Sequence, residues 1–312
     1  MHLLIPSAAS SSPNCQSLLP SLQLPHLQKL LARLQAQALD QGEPHSLNPP
    51  HERALARALG LPCSDGLIAW AAQQHEQNHG ILPQQACGFV TLCHWRMANQ
   101  QVLMSPLPLP ELSQTESDTL LAAMQPYFAE DGITLEPDQC GRYLAQGALL
   151  ADVPTASLDR VIGCDVKAWL PTGPQASTLL RLQNEMQMLF YTHPLNDARE
   201  ARGLLPVNSF WLHGTGCANA SAISVQTQPT VNSSLHHAAL AEDWPRWAQA
   251  WQQLDATELP ALLAAQQRGE PVQLTLCGER SAQSWLCQPR NWLQNFASIF
   301  KPQSISGVLL QL

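Results

Sequence analysis

Residues 184–216 read NEMQMLFYTHPLNDAREARGLLPVNSFWLHGTG. The run begins as an amphipathic helix and continues as a short polar helix carrying Arg199 and Arg202, with Gly203 as its stop. A Leu-Pro turn, a buried strand and a Gly214-Thr215-Gly216 turn complete it. His193 precedes Pro194, which restricts it to extended geometry and makes it a helix-end residue. Helices feeding a buried strand predict an α/β chain. His193, Arg199 and Arg202 lie just ahead of that strand, and guanidinium and imidazole groups in such a position can meet an anion.

Upstream, His2 to Ala9 is a short apolar run ending in a Ser-rich turn, which predicts a buried strand opening a sheet. Pro25–Gln37 places Leu27, Leu30, Leu31 and Leu34 on one helical face. Further helices are predicted from Pro50 to Leu59 and, after the capping pair Ser64-Asp65, over Gly66–Gln74. Two hairpins follow, turning at Ala98-Asn99-Gln100 and Pro137-Asp138-Gln139, and between them Ser113-x-x-Glu116 opens a helix with capping-box spacing. Downstream, Trp244, Trp247 and Trp251 mark one helix face, and a further helix covers Glu258 to Arg268. Strand Val272–Cys277, a helix near 290–300 and a last strand, Gly307–Leu312, close the chain. Strands and helices at both ends around a hairpin-rich middle predict a sheet domain from 1–85 and 205–312, with 86–204 as an inserted α+β unit and its linking helices.

Composition excludes several function classes. The 312 residues are 45% hydrophobic and 13% charged, with a formal net charge of −8. Neither a generic nucleic-acid binder nor an anionic-membrane binder fits an acidic chain without basic runs. With three lysines, any phosphate site must rely on arginine, histidine and backbone N–H groups. Nine cysteines are spread singly, without a Cys-x-x-Cys pair, as expected of reduced thiols in a cytoplasmic protein. The first residues lack a basic n-region, so no signal peptide is expected, and no 18-residue apolar stretch exists.

His193, Pro194, Asn196, Arg199, Gly203, Pro206, Asn208, Gly214 and Gly216 stand where archaeal-type cofactor-independent phosphoglycerate mutases carry matching residues. The segment resembles that family's His-Pro-x-Asn-x-x-Arg helix, Pro-Ala-Asn strand and Gly-Ala-Gly turn. HLLIP, LPHLQKLLARL and NPPHERALARALGL are similar in order to its first strand, a following helix and the region around its nucleophile. The resemblance implies an alkaline-phosphatase-like α/β sheet domain built from both chain ends. It also implies His193, Asn196, Arg199, Arg202, Asn208, Gly214 and Gly216 as anion-binding candidates.

Such mutases use two divalent metals to activate a serine and hold the transferring phosphoryl group. Their first strand ends in an Asp-Gly-x-Gly-Asp cluster; here it ends in Pro6-Ser7-Ala8-Ala9-Ser10, without a carboxylate. Four residues before His51 stands Leu47 instead of serine, with Ser46 one residue off. The nearest C-terminal cluster, His236-His237 with Glu242-Asp243, lacks the family's ligand spacing. Hard cations want carboxylate oxygens, so no metal, no cofactor and no catalytic residue is expected.

NEMQMLFYTHPLNDAREARGLLPVNSFWLHGTG, PHERALARALGL and LTLCGERSA also resemble a bacterial phosphoglycerate-mutase-like family labelled RpfE-type regulatory proteins. That resemblance implies a regulatory protein binding a small phosphorylated or carboxylated metabolite. Two alternatives stay open: a mutase or phosphotransferase with a rearranged site drawing on Ser46, His51, His193, Arg199 and Arg202, and a protein–protein adaptor using the tryptophan stripe. Arg199 and Arg202 share a helix face, where they either grip an anion or pair with Asp197, Glu200 and the last helix carbonyls. Cys277-Gly278-Glu279-Arg280 reads as a structural turn after a strand.

Overall fold

The computed structural model describes residues 1–218, 228–287 and 304–312. The chain divides into two compact units, Met1–Pro44 with Pro49–Gly60 and Ile223–Leu312, and His45–Asn48 with Leu61–Ala222. The first unit opens with β1 (His2–Ile5), α1 (Pro13–Leu18), α2 (Pro25–Arg33), β2 (Gln35–Ala36), β3 (Asp40–Gln41) and α3 (Pro50–Ala58). The second comprises α4 (Trp70–His79), β4 (Cys87–Cys93), β5 (Trp95–Ala98), β6 (Gln101–Met104) and α5 (Gln114–Glu130). It continues through β7 (Thr134–Gln139), β8 (Arg142–Gln146), α6 (Leu158–Val161), α7 (Ala176–Tyr191), α8 (Pro194–Ala201) and β9 (Ser209–Gly216). The first unit resumes with β10 (Thr230–Val231), α9 (Ser234–Leu240), α10 (Trp244–Gln267), β11 (Gln273–Cys277) and β12 (Ser281–Leu286), and ends in a short helix, Ile305–Leu309.

The chain is a mixed α/β protein. In the first unit the two chain ends share one sheet of order β10-β1-β11-β12-β2, with β3 also on β12. β10, β1 and β11 run parallel, and β12 is antiparallel to β11. All four residues of β1 are buried, as befits a strand covered on both faces. Alternation then sorts the side chains. Leu3, Ile5, Leu274, Leu276 and Trp285 meet the apolar stripes of α2 and α10. Leu4, Cys277 and Ala282 meet Ala54 and Leu55 of α3 on the other face.

The predicted tryptophan helix and the helix after it are one element, since α10 continues through Pro260 to Gln267. Trp247 and Trp251 are fully buried and Trp244 nearly so. This corrects the adaptor reading of the stripe, whose three rings lie in the core. The predicted last strand is also corrected: Ile305–Leu309 is helical, and Ser304 Oγ accepts from Gly307 N to cap it. The predicted helix near 290–300 lies outside the described residues.

The second unit is an antiparallel sheet of order β7-β8-β4-β9. α5 and α7 cover one face through Leu120, Met124, Phe128, Leu182, Met186 and Phe190. Ala71 and Ala72 of α4 meet Cys87, Phe89 and Leu144 on the other face. The capping box at Ser113 is formed as its spacing predicts. β9 runs antiparallel along β4 from Ser209↔Cys93 to Gly216↔Cys87. That pairing corrects the expected boundaries, because 61–85 and 205–218 belong with the hairpins and not with the sheet of the chain ends. Helix α4 starts at Trp70, since Asp65 accepts from the N–H groups of Leu47 and Asn48 instead of capping the residues that follow it.

The β5–β6 hairpin turns on Asn99 and Gln100, with φ of 48° and 65°. Two consecutive left-handed residues fit a tight hairpin, but a side chain at the second is strained. Gln100→Gly is expected to raise stability by about 0.5–1 kcal/mol in urea titration; no gain would show that the strain is relieved elsewhere.

Candidate functional site

The second unit decides what Arg199 does. Its guanidinium is fully buried. Nε donates to Leu205 O at 2.9 Å, Nη2 to Pro110 O at 2.9 Å, and Nη1 to Glu111 O at 3.3 Å and to Glu116 at 3.2 Å. Arg202 reaches the carboxylates of Glu116 at 3.2 Å and Glu111 at 3.4 Å. Burial pushes the Glu116 carboxyl up, but bonds from Ser113 and the two guanidinium charges outweigh it and leave the group below its ordinary value.

The other anion candidates also have places in the fold. His193 is the N-cap of α8, its Nδ1 accepting from Leu195 N at 3.2 Å. Asn196 donates to Phe190 O and Val207 O and accepts from Val207 N, so its amide stitches α7 to the approach of β9. Asn208 makes paired bonds with the backbone of Trp95. Gly214 and Gly216 have φ of 62° and 146°. A Cβ at Gly214 would lie 3.1 Å from Phe89 and 3.2 Å from Trp70, and at Gly216 3.0 Å from Ala69. These glycines allow α4 to lie close on β9. His193, Asn196, Arg199, Arg202 and Asn208 thus each bond to protein groups.

The first unit assembles a different set of groups. Ser7 follows β1 by two residues and has φ of 52°, a left-handed conformation unusual for serine. Its Oγ is hydrogen-bonded to His236 Nδ1, near the start of α9, at 2.9 Å. The His51 ring, in the first turn of α3, lies 5.1 Å from the His236 ring, centroid to centroid. All three residues are half-buried. The backbone beneath is held firmly: Trp247 Nε1 donates to Ser7 O at 2.8 Å, Trp251 Nε1 to Ala8 O at 3.2 Å, and Ala8 N to Cys277 O at 2.7 Å. Ser10 and Ser11 donate to Glu279 in the β11–β12 turn.

This cluster lies at the carboxyl end of the central parallel strand, where α/β sheets place their ligands. It joins residues separated by 229 positions. The sequence marks both ends, Ser7 for the absence of carboxylates around it and His236 within a histidine pair, but nothing in the spacing connects them. Ser46 is grouped with the second unit, and Cys63 Sγ bonds to Leu61 O.

No family model matches the chain, and no curated protein matches it. Among solved structures, it is similar to a cofactor-independent phosphoglycerate mutase from Thermoplasma acidophilum, with 12% identity and a TM-score of 0.38 over 100% of both chains. It is also similar to the PH0037 protein from Pyrococcus horikoshii, with 14% identity and a TM-score of 0.46, covering 91% of this chain and 86% of that one. No helix among the described residues is long and apolar enough to cross a membrane.

Proposed function

We propose that this chain is a phosphoglycerate-mutase-like protein that binds a small phosphorylated or carboxylated metabolite at the carboxyl end of β1, without metal-dependent mutase turnover. A regulatory role of the RpfE type fits this reading, and the shared sequence phrases support it. The observation that carries it is the bond between Ser7 and His236 beside His51. A hydroxyl and two imidazoles stand at a strand end whose residues 6–10 include no carboxylate. Hydroxyl and imidazole N–H groups donate to anionic oxygens. The competing mutase reading draws on Ser46, His51, His193, Arg199 and Arg202; of these, His193, Arg199 and Arg202 have polar groups engaged within the second unit.

The test pairs binding with turnover. Thermal shift and calorimetry with inorganic phosphate, 3-phosphoglycerate and a small dicarboxylate are expected to show saturable stabilisation. His236→Gln is expected to weaken it about tenfold, the cost of one lost hydrogen bond near 1.4 kcal/mol. A coupled assay interconverting 3- and 2-phosphoglycerate is expected to give no rate above a His51→Ala control, with or without Mn²⁺. Metal-dependent turnover that survives purification, or stabilisation by none of the anions, would overturn the reading.

A further inference from the structure

We propose that Ser7 is a nucleophile activated by His236, and that the site at the end of β1 transfers acyl groups from carboxylic esters or thioesters of small acids. The inference shares its location with the reading above but goes beyond it, since binding an anion requires no reactive hydroxyl.

Three observations converge on Ser7. The first is the 2.9 Å contact between Ser7 Oγ and His236 Nδ1, the separation at which a neutral imidazole takes a hydroxyl proton. The second is the left-handed backbone, φ 52°, immediately after a buried parallel strand. A sharp strained turn at a strand end projects a serine hydroxyl out of the sheet toward solvent, and strain at a non-glycine residue persists only where its surroundings over-determine it. The third is that over-determination itself. Two fully buried tryptophans of α10 donate their indole N–H groups to the carbonyls of Ser7 and Ala8, and Cys277 O accepts from Ala8 N. Two indoles of α10 thus hold the turn in which Ser7 takes its left-handed conformation. A turn with no further task would place glycine there at lower cost.

The chemistry of the cluster selects the substrate class. Phosphoryl transfer spreads charge over three equatorial oxygens and calls for cations around them. Ser7 and His236 supply a hydroxyl and an imidazole within hydrogen-bond distance. Acyl transfer develops charge on one oxygen and needs a nucleophile with a base. In the first half-reaction Ser7 Oγ bonds to the carbonyl carbon while its proton passes to His236 Nδ1. The tetrahedral oxyanion then collapses, the carbon–oxygen or carbon–sulfur bond breaks, and His236 returns the proton to the leaving alcohol or thiol. Water next attacks the acyl-serine with His236 again accepting a proton. The carboxylic acid leaves and the Ser7 hydroxyl is restored, so ester plus water gives acid plus alcohol with no other reactant.

An alkyl fluorophosphonate tests this without a known substrate, because serine displaces fluoride from it and keeps the phosphonyl group. Intact mass and peptide mapping of the full chain are expected to show one adduct per molecule, on Ser7. Ser7→Gly, which suits the left-handed backbone and so keeps the fold, is expected to abolish it. His236→Gln is expected to slow labelling at least 100-fold, in keeping with loss of a general base, at an unchanged circular dichroism spectrum. p-Nitrophenyl acetate is expected to give a burst of nitrophenol equal to the enzyme concentration. No adduct on folded wild type, an adduct that survives Ser7→Gly, or labelling of His236→Gln at the wild-type rate would each overturn the proposal. Saturable anion binding with no labelling would remove the nucleophile and leave the binding reading standing. Labelling of Ser7 with no anion binding would do the reverse.

Discussion

Arg199→Met is expected to lower the unfolding free energy of the second unit by about 3–5 kcal/mol, the usual cost of removing one partner from a buried ion pair. The variant keeps much of the apolar stem but leaves the carbonyls of Leu205, Pro110 and Glu111 without their guanidinium donor. It also removes a charge from the partly buried Glu116 carboxylate, which then relies on Arg202 and Ser113. Arg202→Ala provides the contrast. Its side chain is half-exposed, and surface pairs of that kind contribute about 0–1 kcal/mol. Urea titration of both variants reads the difference directly. Equal small losses, accompanied by weaker anion binding in Arg199→Met, would restore the anion reading of this helix.

Acidification is expected to weaken the first unit well before its ordinary carboxylates titrate. His2 is buried on the sheet, with Nε2 hydrogen-bonded to Thr275 Oγ1 at 2.9 Å, and Thr275 in turn meets Ser284 Oγ at 2.8 Å. Burial pushes its pKa down from 6.5 to about 4. The folded state thus holds the imidazole neutral where the unfolded chain binds a proton. Stability from this group is complete above about pH 6.5, falls as pH drops toward 4, and levels off below. The slope is about 1.4 kcal/mol per pH unit, or on the order of 3 kcal/mol across the window. In the second unit His213, hydrogen-bonded to Thr91 at 2.9 Å, is pushed down to about 3 by burial and then by the Arg142 charge. It adds a loss of the same sign over a slightly wider range. Urea unfolding of wild type and His2→Gln from pH 7 to 4 is the measurement. A His2→Gln variant as acid-sensitive as wild type would assign the effect to other groups.

Much of the secondary structure was legible because its causes are local. The leucine stripe of α2, the Pro50 start of α3, the Ser113-x-x-Glu116 capping box and the Gly203 stop are written within a few residues of where they act. The structure departs from the local signals at three places. Asp65 turned back to the N–H groups of 47 and 48 and released the start of α4 to Trp70. The final segment became a helix because the hydroxyl of Ser304 supplies a cap. The buried, apolar run of β9 suits any sheet, and only its pairing with β4 decides which.

The sequence by itself determined an acidic α/β chain whose two ends build one sheet, and it marked the strand end at Pro6–Ser10 as lacking carboxylates. It also marked Arg199 and Arg202 as neighbours on one helix face. What they face was decided by tertiary structure alone, since Glu116, whose carboxylate meets the Arg199 guanidinium, lies 83 residues away. The same holds, with the opposite outcome, for Ser7 and His236. The sequence marks each in its own stretch of chain, and nothing in the spacing joins them. Parallel pairing of β10 with β1 sets α9 at the strand end, and the indoles of α10 hold the turn that brings hydroxyl and imidazole together. Local propensity reads a few residues at a time, whereas a site assembled across 229 positions exists only once the sheet has formed.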